Sequence, residues 1–152
     1  MSAHQPDPAA AAVEPDSALQ AAALRAGLSA PTAHALARGA AIYRQGWFWE
    51  AHEEWEGAWL EEEDAPRALL QGLIQVAAAF HKALVQRQAG GCVRLLTMAL
   101  EKLAPLASPC GGVDVAAVRA GAERALGLAV AWKAGLGPPP ARADAPVIGV
   151  GP

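Results

Sequence analysis

The chain has 152 residues and a mass of 15.6 kDa, with 53% hydrophobic and 18% charged residues. That is enough apolar surface for one domain with a sizeable core and too little chain for a multidomain machine. The formal net charge of −3 argues against a generally basic nucleic-acid binder. Charge is also uneven: Glu50, Glu53, Glu54, Glu56, Glu61, Glu62, Glu63 and Asp64 fall between Gly46 and Ala65 with no Lys or Arg among them, leaving +5 on the rest. Cation-binding chemistry belongs first in that acidic segment.

Cys92 and Cys110 are the only cysteines and lack CxxC spacing, so they read as two free thiols in a reducing cytosol. The N-terminus has no basic stretch followed by an apolar one. The apolar run around Val76 to Phe80 is interrupted by His81 and Lys82, short of a membrane span. The expectation is a cytoplasmic, soluble protein with no membrane partner.

Residues 1–16 and 136–152 are rich in Ala, Pro and Gly and lack apolar periodicity, so both read as disordered tails around a helical domain at 17–135. Within that domain apolar residues recur at helical spacing, and no β-branched run is long enough for a strand. The fold class is all-α, a single compact bundle of about five to six helices.

Ser17 caps a first short helix that stops at Gly27. Ser29 caps a second, with Pro31 in its first turn and an end at Gly46. A third helix spans about Trp47 to Glu61. Asp64-Ala65-Pro66 starts a fourth that runs to about Gln88. Gly90-Gly91 then breaks the chain before a fifth helix through Leu103, and Asp114 caps the last, ending near Gly135.

On the third helix, His52, Glu56 and Trp59 fall inside the apolar arc, Glu53 at its edge, and Glu50, Glu54 and Glu61 on the opposite, solvent face. A carboxylate among Trp side chains is costly unless paired, hydrogen-bonded or bound to a cation, and His52 one turn earlier can partner Glu56. The same i,i+4 spacing lets two side chains grip one metal ion, with Glu53 as general base. A zincin helix reads HExxH, whereas here Glu takes the second ligand position and the third ligand is open. His81 is a candidate third ligand, because it falls with Ile74, Ala77 and Val85 rather than with the polar stripe of Gln71, Gln75, Lys82 and Gln86. The bland alternative makes His81 a satisfied core histidine and His52–Glu56 a buried pair that fixes helix register.

Upstream, Ala23-x-x-Ala26-Gly27-Leu28-Ser29-x-x-Thr32-Ala33-x-x-Leu36 resembles the helix-turn-helix pattern of small bacterial repressors, with Arg25 and Arg38 near enough to touch phosphates. DNA binding through residues 23–38 is the minor alternative.

The stretch Tyr43-x-x-Gly46-x-Phe48-Trp49-Glu50-Ala51-His52-Glu53-x-Trp55-Glu56-x-x-Trp59, followed by Leu70-Gln71-Gly72-Leu73-Ile74-Gln75, resembles the domain of unknown function 309 family. Its members are small bacterial and archaeal helical proteins sometimes labelled predicted metal-dependent hydrolases. The resemblance implies signature polar positions at Glu50, His52, Glu53, Glu56, Gln71 and Gln75, gathered on two neighbouring helices. It thereby adds Glu50, Gln71 and Gln75 to a site that periodicity alone left without them.

Two functions follow as expectations. In the first, a divalent metal ion is held by His52, Glu56 and His81, Glu53 takes a proton from metal-bound water, and Glu50, Gln71, Gln75 and Trp59 bind or orient water and substrate in a hydrolysis. In the second, the same residues form a hydrogen-bond network in a non-catalytic interaction module. The partner is a small-molecule substrate or a protein, self-association into a homo-oligomer included.

Overall fold

The computed structural model describes residues 7–152. Six α-helices follow in chain order: α1 (Ser17–Arg25), α2 (Ala30–Arg44), α3 (Phe48–Trp59), α4 (Asp64–His81), α5 (Ala89–Leu103) and α6 (Val115–Lys133). Each packs chiefly on the next along the chain, as short connections between neighbouring helices dictate. The all-α expectation holds.

Local chemistry explains most boundaries. The Asp16 carboxylate accepts from the Leu19 amide at 3.1 Å to start α1, one residue ahead of the expected Ser17 cap. Ser29 Oγ accepts from the Thr32 amide, with Pro31 inside the first turn of α2, and Asp114 accepts from the Ala117 amide to start α6. Each cap satisfies one of the orphan N–H groups of a first turn.

The fourth helical segment reaches close to its expected end near Gln88, but its form and the break that follows differ from expectation. The helix does not stop at His81 but widens into a π-helical turn over Lys82–Gln86, and the break comes at Arg87, whose φ of 54° is left-handed. Gly90 and Gly91 lie inside the first turn of α5 rather than before it. His81 and Lys82 therefore do not cut the apolar segment short: Asp64–Gln86 is long and apolar enough by composition to cross a membrane. However, 67% of its apolar window is buried inside the protein, as in the core helix of a soluble protein.

That central helix carries the core. Leu69, Leu70, Leu73, Val76, Ala77, Ala79 and Phe80 are essentially inaccessible, and α4 is flanked by α3 on one side and α5 on the other. Gly72 permits the second contact, because a Cβ there would fall 2.5 Å from a Leu103 methyl.

The flanking segments expected to be disordered are ordered where described. Pro8–Ala12 forms a 3-10 turn started by the Asp7 carboxylate, and Ala10 is buried in the core. Arg38 holds this segment by donating to the carbonyls of Ala10, Ala11 and Val13. Residues 1–6 of the expected tail lie outside the described residues. At the other end Ile148 is buried, Tyr43 donates to the Pro146 carbonyl at 2.7 Å, and Arg44 donates to the Ile148 carbonyl at 2.8 Å. These segments lack helical periodicity because each is fixed by backbone bonds and one or two apolar anchors, not by an amphipathic face.

The helix-turn-helix-like stretch forms the α1–α2 corner. Thr32, Ala33, Leu36, Ala37, Gly39 and Ala40 of α2 are buried, and Arg38 is committed to Glu54 and the N-terminal carbonyls. This helix packs inward and its nearest cation is occupied, so its geometry gives DNA binding no support.

Candidate functional site

On α3 the inward line is Phe48, Ala51 and Trp55, the i, i+3, i+7 spacing of one helix face. Three contacts fix α3 antiparallel to α4: Phe48 against Phe80 (ring centroids 5.5 Å apart), Trp49 against His81 (5.0 Å), and the Arg67 guanidinium 4.2 Å over the Trp59 ring. In this register Gln75 stands within about a turn of His52, and Gln71 within about a turn of Glu56.

His52 Nε2 lies 3.0 Å from Glu56 Oε1, with the histidine largely covered and the Glu56 side chain 48% exposed. Glu56 thus sits at the wet edge of the arc, about 100° beyond Trp55, and not among buried indoles as expected. The His52 ring packs on Trp49 at 4.9 Å. Its Nδ1 is buried without a hydrogen-bond partner, as are Gln75 Oε1 and Trp59 Nε1. Glu56 thus engages Nε2 of the imidazole and leaves Nδ1 on its covered side.

Glu53 and Glu54 point elsewhere. They line a groove of about 680 Å³ with Thr32, Glu61 and Glu62, where Glu54 pairs with Arg38 at 2.7 Å and Thr32 donates to Glu62. Glu53 is exposed, and its groove is not lined by His52 or Glu56.

Glu50, placed on the solvent face by periodicity and in the site by resemblance, is 9% exposed. The Asp7 amide donates to its Oε1 at 3.2 Å, so the returning N-terminal segment is what covers it. Glu50 and His81, the latter 5% exposed, line one cavity of about 280 Å³ together with Asp7, Trp47 and Trp49. This cavity lies where the start of α3 meets the end of α4 and its π-helical turn. Gln75 is 6% exposed and Gln71 half-buried on the same helix.

The structure therefore divides the expected site in three. His52 and Glu56 form a pair, Glu50 and His81 share a cavity one Trp49 ring away, and Glu53 faces the α2 side, where it lines one groove with Glu54 and Glu62 and another with Glu50, Asp7 and Arg38. Asp7 was not singled out from the sequence, and Arg38 was singled out only as a possible phosphate contact. Asp7-Pro8 carried the cap-then-Pro signal of a helix start, whereas nothing local marks Arg38 as a clamp.

The fold and these residues define an all-α domain whose polar motif straddles one antiparallel helix pair. Residues 36–95, from the middle of α2 into α5, match the family model Domain of unknown function (DUF309). No curated protein matches the chain.

The donor set does not fit a catalytic metal centre of the kind the hydrolase label implies. Such centres use three protein ligands, whereas His52 and Glu56 make two. Among the described residues no group of three or more His, Cys, Asp or Glu is gathered so as to hold a metal ion.

Proposed function

We propose that this chain is a small-molecule-binding protein whose site is the cavity between the start of α3 and the end of α4. The observation that carries this reading is convergence: a buried carboxylate, Glu50, and a buried imidazole, His81, come from two helices into one aromatic-walled cavity. Concave, largely apolar spaces with a few convergent polar groups are the usual form of ligand sites. The His52–Glu56 pair then serves as a support, with the His52 ring holding Trp49 from the neighbouring turn. Two unbridged cysteines support a cytoplasmic setting.

The test is ligand-observed NMR of the full chain with a mixed fragment set of small acids, amines and neutral alcohols, repeated on His81→Ala and Glu50→Gln. Binding that both variants weaken supports the site. Binding that neither variant changes places the ligand elsewhere and overturns it.

Metal-dependent hydrolysis is the competing reading, and one observation favours part of it. Glu56 engages Nε2 of His52 and leaves Nδ1 without a hydrogen-bond partner, the relation of carboxylate to imidazole in a general base. Elemental analysis of freshly purified protein, with thermal stabilisation by Zn, Mn, Ni and Mg in wild type and His52→Ala, separates the two. Stoichiometric metal lost in the variant would restore the hydrolase and displace the binding reading.

A further inference from the structure

We infer that a second cavity, between the C-terminal segment and the corner joining α2 to α3, binds a small organic carboxylate with an apolar body, and that Arg142 is the group that recognises it. This site is separate from the cavity between α3 and α4, and the inference does not rest on that reading.

The cavity is held in shape by the chain itself. Tyr43 and Arg44, at the end of α2, donate to the carbonyls of Pro146 and Ile148 and so fix the C-terminal segment. The space of about 320 Å³ beneath it is bounded on the α3 side by Phe48. A wall fixed in this way loses little freedom when something binds. The volume lies at the low end of the roughly 300–1,000 Å³ of small-molecule pockets, which suits a small acid and not a nucleotide or a peptide.

Charge gives the sign of the ligand. Arg44 and Arg142 both line the space, and among the described residues no Asp or Glu does. Arg44 is already engaged: it pairs with Asp16 at 2.7 Å and donates to the Ile148 carbonyl. Arg142 is not neutralised. It donates to the Arg44 carbonyl at 3.1 Å and pairs with no carboxylate among the described residues, while Asp144, two residues on, turns back to accept from the Ala141 amide. Its guanidinium is nevertheless seated, because it lies against Gly46, where a Cβ would fall 2.8 Å from its Cζ. Gly46 also has a φ of 86°, so the turn and the seat both require glycine there. One bond occupies only part of a guanidinium's five donors, and a carboxylate matches the rest of the planar fork with two parallel bonds.

The wall gives the ligand its body. Phe48, Pro146 and Ile148 are buried, and Val147 stands beside them with 72% of its surface exposed. A ring or branched alkyl group on the carboxylate would cover that apolar surface and gain the free energy of its removal from water. Inorganic phosphate would meet the same guanidinium and leave the surface wet.

The experiment titrates the full chain, uniformly ¹⁵N-labelled, separately with sodium benzoate, benzyl alcohol and sodium phosphate at one pH, following the backbone amides of Gly46, Val147 and Ile148. Benzoate should shift them saturably and bind at least about tenfold tighter than either other probe. Arg142→Gln should weaken benzoate about tenfold or more, and Arg142→Lys should fall between, since an ammonium keeps the charge and loses the fork. Val147→Ser should weaken benzoate and leave phosphate unchanged; being a change at an exposed side chain, it keeps the test decisive if Arg142→Gln loosens the C-terminal segment. Benzyl alcohol binding as tightly as benzoate would reduce the site to an apolar cleft and overturn the role of Arg142. Phosphate binding as tightly would overturn the apolar body. If benzoate moves none of the three amides, or binds both variants as it binds wild type, the inference falls entirely.

Discussion

Gly39 and Trp55 interlock across the α2–α3 contact. The Trp55 indole N–H donates to the Leu36 carbonyl at 3.2 Å, and a Cβ at position 39 would sit 2.1 Å from that same nitrogen. No rotation of a small group relieves this overlap, since the ring is wholly buried and hydrogen-bonded. In an unpacked helix Gly→Ala is stabilising by roughly 1 kcal/mol. Here the sign reverses: Gly39→Ala should destabilise by about 1–3 kcal/mol, read as a lower urea midpoint at unchanged slope. Trp55→Phe in the Gly39→Ala background should recover part of the loss; full additivity of the two changes would refute the interlock.

Arg38 concentrates four bonds on one guanidinium, to the carbonyls of Ala10, Ala11 and Val13 and to Glu54 at 2.7 Å. A planar fork of donors suits that set in a way a Lys ammonium does not. Arg38→Ala should release residues 7–13 and so uncover Glu50, whose Oε1 accepts from the Asp7 amide. Hydrogen exchange should speed up in that segment while the α4 amides stay protected. Equal acceleration in α4 would mean that Arg38 supports the core itself and not a local clamp. Arg38→Lys should give an intermediate result.

How much was legible follows from these same residues. Ser29, Asp114 and the helical periods around Trp55 and Phe80 act locally, so the class, the helix order and most starts could be read from neighbouring residues. Glu50 could not, because its cover comes from Asp7, 43 residues away. Periodicity describes one helix in isolation and cannot anticipate a segment that folds back over it. Glu56 failed in the opposite sense: it lies inside the apolar arc of α3, yet no element covers that edge and the carboxylate stays half in water. The family resemblance set Glu50 apart as a signature polar position but said nothing of how it is covered. Gly90-Gly91 misled because flexible residues are tolerated in a first turn, and the break was made instead by the left-handed Arg87.

Asp16 ties the start of α1 to α2. Burial pushes its carboxyl pKa up, but the Leu19 amide and the Arg44 guanidinium, 2.7 Å away, outweigh that and hold it below the ordinary value of 3.8. A depressed carboxyl favours the folded state at any pH above its unfolded value, and the benefit disappears as pH falls through the folded value. Asn is also a good N-cap, so Asp16→Asn isolates the charge. The stability gap between wild type and Asp16→Asn should be constant near neutrality and should close in acid, below the ordinary carboxylate value. A gap that persists unchanged to low pH would show that the cap bond, not the charge, is what Asp16 supplies. Urea midpoints across that pH range provide the measurement.

The His52–Glu56 pair permits a sharper test of what the motif is for. A closed, buried pair would make each single substitution severe, about 3–5 kcal/mol, because the mate is left charged and dry. Here Glu56 is half exposed, and His52 already carries one buried atom, Nδ1, with no partner. Water can receive Glu56 when His52 is gone, and an apolar replacement at 52 removes an unsatisfied group. His52→Leu should therefore cost little or even stabilise, Glu56→Ala should cost less than about 1 kcal/mol, and their coupling in a double-mutant cycle should fall in the ~0.2–1 kcal/mol range of exposed pairs. The supporting role of His52 should appear instead in its neighbour: His52→Leu should alter the Trp49 indole N–H shift while Glu56→Ala leaves it nearly in place, since the ring contact of 4.9 Å is made by the imidazole alone. A coupling well above ~1 kcal/mol would return the pair to the role of a structural lock, and an unmoved Trp49 signal would remove His52 from the support of the cavity wall.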